Sequence, residues 1–147
     1  MKFDPSQLTW AAQYKGYIGP YVAEIPSGID GVKAFAHDGQ NYLFYPWSLK
    51  NCVAMGVACV PPDYPWPCSG GRTPYTHQKA TTNFILANKD SFTLSSQGTG
   101  KSLAASWAMD ILMKETGLPV LIVSPLSTLE ATWSKSWFVN FPGRTCA

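Results

Sequence analysis

The run Phe92-Thr-Leu-Ser-Ser-Gln-Gly-Thr-Gly-Lys101-Ser102 carries the residue types of a phosphate-binding loop, with a short apolar stretch, a glycine turn, and then Lys-Ser opening a helix. Such a loop works because successive backbone N–H groups converge on an anion at the positive end of a helix. Glycine is needed where φ must be positive or where a side chain would block the approach. Gly98, Thr99 and Gly100 fit that role. Lys101 would reach the β- and γ-phosphates of ATP, and the Ser102 hydroxyl would ligate Mg²⁺. The strict motif has a glycine six residues before the lysine, where this chain has Ser95. The plainer reading is a helix start carrying a surface Lys and a Ser.

Two further constellations flank the loop. Gln78 lies 23 positions before Lys101 and follows Arg72-Thr-Pro-Tyr75-Thr-His77. A carboxamide offers one donor and one acceptor group, which matches the N7/N6 edge of adenine. Tyr75 or Arg72 could stack on the base, although an exposed Gln in a first helical turn is ordinarily just solvated. Ser124-Pro125-Leu126-Ser127 follows an apolar run, and its hydroxyls and amides suit a nucleic-acid phosphate. An ordinary capped turn fits those four residues equally well. Cys52, Cys59 and Cys68 could be drawn around a zinc ion with His77, but no two of the four cysteines have the tight spacing of a ligand pair. Partly buried thiols are the expectation.

The elements that must position these residues fall into two stretches. Before Pro61 the chain is aromatic and turn-rich. Tyr21 to Ile25, Val32 to Ala36 and Asn41 to Tyr45 read as strands of a small antiparallel sheet, with Asp30-Gly31 and Asp38-Gly39 as turns. Ser48 to Gly56 reads as a short helix. Pro61 to Gly71 is a linker by composition, with four prolines. From Arg72 the pattern alternates. Tyr75 to Asn88 is expected as a helix burying Ala80, Phe84, Ile85 and Leu86, and Ser91 to Leu94 as a buried strand. Lys101 to Glu115 has apolar residues at helical spacing, with Gly117 as its C-terminal cap. Pro119 to Ser124 reads as a strand of a parallel sheet. Ser127-Thr-Leu-Glu130 is a capping box that would open a last helix through about Phe138. The expected fold class is α/β: an incomplete RecA-like lobe, with a parallel sheet and flanking helices, preceded by a small β-rich aromatic module. The expected domains are 1–60, a linker 61–71, and 72–147.

Composition narrows the function classes. With 147 residues, 46% hydrophobic and 14% charged, the chain is long enough for one full core or two small ones and is not of disordered type. A net charge of +2 does not by itself indicate nucleic acid. Apolar runs are too short to span a bilayer, and Met1-Lys-Phe-Asp-Pro is not a secretory leader, so a soluble cytoplasmic protein is expected.

In order and spacing, three of these motifs resemble superfamily 2 helicases, specifically the Swi/Snf-like branch found in many phage genomes. Arg72 to Gln78 resembles the glutamine motif, and Ser95 to Ser102 resembles motif I. Val120-Leu-Ile-Val-Ser-Pro-Leu-Ser-Thr-Leu-Glu-Ala-Thr-Trp133 resembles motif Ia, and Phe138-Val-Asn-Phe-Pro-Gly143 the segment after it. The resemblance implies ATP-driven translocation on DNA. Adenine would be read at Gln78, the phosphates held at Lys101, and the DNA backbone touched at Ser124 to Ser127. Only 45 residues follow Ser102, with no D-E-x-H motif and no second lobe with its arginine finger. Phosphoryl transfer needs such groups, so ATP hydrolysis by this chain alone is not expected, and the remainder of a helicase motor is the implied partner. The competing expectation is a stand-alone, non-catalytic module that binds DNA or protein.

Overall fold

Asp38 and Gly39 take φ of 48° and 74°, the left-handed geometry of a two-residue hairpin turn. That turn sets the register of a four-stranded sheet. The strands are β1 (Thr9–Ala11), β2 (Gly16–Pro20), β3 (Lys33–His37) and β4 (Gln40–Pro46), paired antiparallel throughout in the order β1-β2-β4-β3. The computed structural model describes residues 2–145, divided into one unit through Tyr64 and a second from Pro65.

In the first unit, strand alternation sends Tyr17, Leu43 and Tyr45 to a buried face. Phe35, Tyr42 and Phe44 line the opposite face, with Phe35 and Tyr42 cross-strand partners whose rings stack at 5.7 Å. Gly16 is required beneath Phe44, because a Cβ there would collide with the phenyl ring. The helix α1 (Leu49–Met55) starts at Ser48, whose side chain accepts from the Asn51 N–H, and stops at Gly56 with φ 70°. It buries Cys52 and Met55. Asn51 is buried as well and is held by bonds to both the N–H and the carbonyl of Asp30.

Tyr21 to Ile25 is not a strand. The β2–β4 ladder runs from Gly16↔Pro46 to Pro20↔Tyr42, and the Tyr21 N–H still reaches the Asn41 carbonyl. Beyond that point β4 turns away into the hairpin, so residues 22–25 find no ladder partner. The glycine- and proline-containing Gly16–Pro20 is a strand instead.

In the second unit, α2 (Thr76–Ala87) and α3 (Lys101–Thr116) pack together. A final helical segment comprises α4 (Leu126–Thr128), a π-helical stretch (Leu129–Ser134) and α5 (Lys135–Asn140). It begins after Pro125, so Ser127 lies inside its first turn rather than capping it. Trp107 is the buried centre of α3. Its indole N–H donates to the Pro67 carbonyl at 2.7 Å, and Trp66 meets it edge-on. Asp110, also buried, accepts from Lys114 Nζ at 2.7 Å and from Arg144 Nη2 at 2.8 Å. α3 ends at Gly117 as expected, with φ 69° and its N–H on the Met113 carbonyl.

The expected parallel RecA-like sheet is not present: among the described residues the one sheet is the antiparallel sheet ending at Pro46, and the regular elements after Pro46 are helical. Ser91 to Leu94 and Pro119 to Ser124 lie outside any regular element, with Leu94 85% and Val123 88% exposed. An apolar run becomes a parallel strand only when segments distant in sequence supply its ladder partners, and neither run acquires one. α2 also departs from its expected face. Leu86 is buried as expected and Ile85 half-buried, but the other buried residues are Gln78 and Thr82, whereas Phe84 and Ala80 are exposed. Among the described residues no helix is long and apolar enough to cross a membrane.

Burial pushes the Tyr17 phenol up to about 12, helped by nearby Cys52, Cys59 and Asp63, and burial raises Tyr45 as well. Below pH 10 both phenols are neutral whether the chain is folded or unfolded, and their contribution is fully present. Above it the unfolded chain loses these protons first, so stability falls as pH rises from about 10 toward 12. Denaturant unfolding followed by far-ultraviolet circular dichroism across that range should show the decline, with a shallower slope for Tyr17→Phe.

Candidate functional site

The loop from Ser95 to Gly100 turns sharply because Gly98 and Gly100 adopt φ of 80° and 81°. Gly100 is the N-cap of α3, which places Lys101 and Ser102 in the first turn of a sixteen-residue helix. Partial positive charge accumulates at such an end, where the first amides have no intrahelical partner. The Lys101 side chain folds back over the loop, and its ammonium donates to the carbonyls of Ser95 and Ser96, both at 2.8 Å. Thr99 Oγ1 donates to the Ser96 carbonyl at 2.9 Å and stands 3.2 Å from Ser95 Oγ. The loop is thus closed by its own hydroxyl and ammonium groups.

α2 grips this loop from the side. Both His77 Nε2, at 3.0 Å, and Gln78 Nε2, at 3.2 Å, bond the Thr99 carbonyl. A carbonyl only accepts, so the bonded imidazole carries its proton on Nε2. Thr82 ties the two helices together below, its hydroxyl lying 3.0 Å from the Gln78 carbonyl and 3.1 Å from that of Ala104. Between α2 and the loop is an open pocket of about 370 Å³, lined by His77, Gln78, Ser95, Ser96, Thr99 and Lys101 among others. That volume is within the ordinary range for small-molecule sites. Its lining holds the Lys101 ammonium and no carboxylate, a composition that suits an anion and offers no carboxylate base.

The structure thus brings Thr99, Gly100 and Lys101 together with Gln78 around this pocket, while Gly98 and Ser102 adjoin it along the chain without lining it. Tyr75 stands beside them, exposed, its ring stacked at 13° on the His77 imidazole. Arg72 does not line this pocket. Its Nε points to the Ser69 carbonyl at 3.4 Å, and it borders a separate hollow of about 280 Å³ with Cys68, Leu103 and Asn140. Ser124, Pro125, Leu126 and Ser127 form a turn in which Ser124 Oγ and Thr128 Oγ1 are 2.6 Å apart and Thr128 Oγ1 donates to the Pro125 carbonyl. Leu126 and Ser127 line a shallow hollow that also holds Glu130 and Lys135.

Local sequence does not mark His77 or Thr82 as parts of the site. His77 reads there as a candidate zinc ligand, and a threonine inside a helix carries no sequence signal of a bond to a second helix. Among the described residues no group of three or more metal-ligating side chains is assembled. Cys52 and Cys59 are buried in the first unit, where burial pushes the Cys59 thiol up.

No protein-family model, curated protein or solved structure matches the chain.

The two loop glycines should respond differently to substitution. Nothing lies within 4 Å of a Cβ at Gly98, so Gly98→Ala bears only the cost of positive φ, about 1–2 kcal/mol. At Gly100 the added methyl would also overlap Gln78 Nε2. Thermal unfolding and hydrogen exchange of the α3 N-terminus should therefore show Gly100→Ala as clearly the more disruptive.

Proposed function

We propose that this chain binds ATP with Mg²⁺ through the Ser95 to Ser102 loop, as the nucleotide-binding amino-terminal portion of an ATP-dependent DNA helicase or translocase acting in the cytoplasm. The observation that carries this is Lys101: its ammonium sits on two loop carbonyls at the N-terminus of α3, inside an acid-free pocket. Those carbonyls are weaker partners for an ammonium than a phosphate would be, so an incoming triphosphate takes over the lysine and finds the helix amides behind it. The Ser102 hydroxyl suits Mg²⁺, a cation that takes few protein ligands and fills the rest of its shell with water and phosphate oxygens. Mg²⁺ would neutralise charge on the β- and γ-oxygens. Hydrolysis would need water-positioning and charge-neutralising groups from the remainder of a motor. DNA contact at Ser124 to Ser127 comes from the helicase resemblance.

A second reading, a non-catalytic binding module, draws on the outer sheet face. There the stacked Phe35–Tyr42 pair and the Tyr14–Phe44 pair offer aromatic rings in the way of single-strand binding surfaces. Single-stranded DNA binding that survives Lys101→Ala but fails in Phe35→Ala would favour it.

The primary test is calorimetry of ATP and ADP with Mg²⁺ on the wild type and on Lys101→Ala. The expected outcome is binding by the wild type that weakens at least tenfold in the variant, about the loss of one charge-assisted hydrogen bond. Wild-type protein that binds neither nucleotide would overturn the proposal.

A further inference from the structure

We infer that Gln78 is a positioning residue for the phosphate loop and not the reader of the base, so that the site selects a triphosphate chain with little preference among purines. The inference rests on the nucleotide-binding reading above.

Both ends of the Gln78 carboxamide are already engaged within the protein. Oε1 accepts from the Tyr75 N–H at 3.0 Å, closing one half of a capping box at the start of α2. Nε2 donates to the Thr99 carbonyl at 3.2 Å. The side chain is 9% exposed and its amide nitrogen lies directly against Gly100, in the space a Cβ would occupy. The main chain at the same residue is held too, because the Gln78 carbonyl accepts from Thr82, whose hydroxyl also reaches Ala104 on α3.

Reading adenine through its N7/N6 edge requires the donor and acceptor of one carboxamide to face the base together. Here the acceptor faces the end of α2 and the donor faces the loop. Turning the group toward a base would break both bonds and leave the Tyr75 N–H without its partner. In its present place the amide fixes the Thr99 carbonyl and thereby the Thr99-Gly100-Lys101 backbone that would meet the phosphates. The surface left for a base is the exposed Tyr75 ring beside His77. Stacking on an aromatic ring tolerates any base, since each has a π-face.

The experiment compares ATP, GTP and inorganic tripolyphosphate, each with Mg²⁺, by calorimetry on the full chain. Wild type, Gln78→Ala and Gln78→Met are measured, with thermal unfolding alongside. Gln78→Met keeps most of the side-chain volume and adds no charge to the pocket, but it cannot donate to Thr99. The expected result is that wild type binds ATP and GTP within about threefold of each other. Both variants should weaken all three ligands alike, by about three- to tenfold, the net worth of one hydrogen bond. A wild-type preference for ATP that Gln78→Ala erases, with tripolyphosphate binding unchanged, would overturn the inference. So would unchanged affinities in a well-folded Gln78→Met. Failure of the wild type to bind any of the three overturns the nucleotide site itself and is thereby distinguishable.

Discussion

The hydroxyl of Thr82 has one proton and stands between two carbonyls, those of Gln78 on its own helix and Ala104 on the next. That contact is fully buried, where an unmet carbonyl would be costly. It holds α2 and α3 at a separation at which Gln78 meets Gly100 and both His77 and Gln78 reach Thr99. Gly100 must lack a side chain because the helices approach so closely, and it can be the cap of α3 because glycine accepts φ of 81°. One buried polar contact and one missing Cβ therefore decide where the loop sits.

α3 serves the site from its first turn and the core from its middle. Trp107 fills the interior and finds a partner for its indole N–H in the Pro67 carbonyl, so the proline-rich stretch from Pro65 is part of the packing of this unit and not a loose tether. Asp110, one turn further on, is a buried carboxylate matched by Lys114 and Arg144. Pairs of this kind add little net stability against an apolar equivalent, but breaking one leaves an uncompensated charge. The Lys114 pair lies within α3 itself, whereas the Arg144 contact ties the helix to the chain after α5.

The two apolar runs at Ser91 to Leu94 and Pro119 to Ser124 show the limit of periodicity. Their composition is that of buried parallel strands, yet they stand exposed without ladder partners. The amino-terminal sheet shows the converse. Gly16–Pro20 has a poor strand composition and is a central strand, because its register with β4 places Tyr17 in the core and leaves room for Phe44 above Gly16. In both cases partner availability outweighed local preference.

Local chemistry made several features legible in the sequence alone. The Asp38-Gly39 hairpin, the Ser48-to-Gly56 helix with its two caps, and the Gly117 stop of α3 follow from which residues tolerate positive φ and which side chains can satisfy orphan amides. The positive φ of Gly98 and Gly100 and the start of α3 at Lys101 belong to the same kind, being set within a few residues. The tertiary structure alone decided that the two later apolar runs join no parallel sheet, that α2 turns Gln78 and Thr82 inward, and that His77 joins the loop while Arg72 does not. Those outcomes depend on which surfaces meet across tens of residues, and no local propensity encodes them.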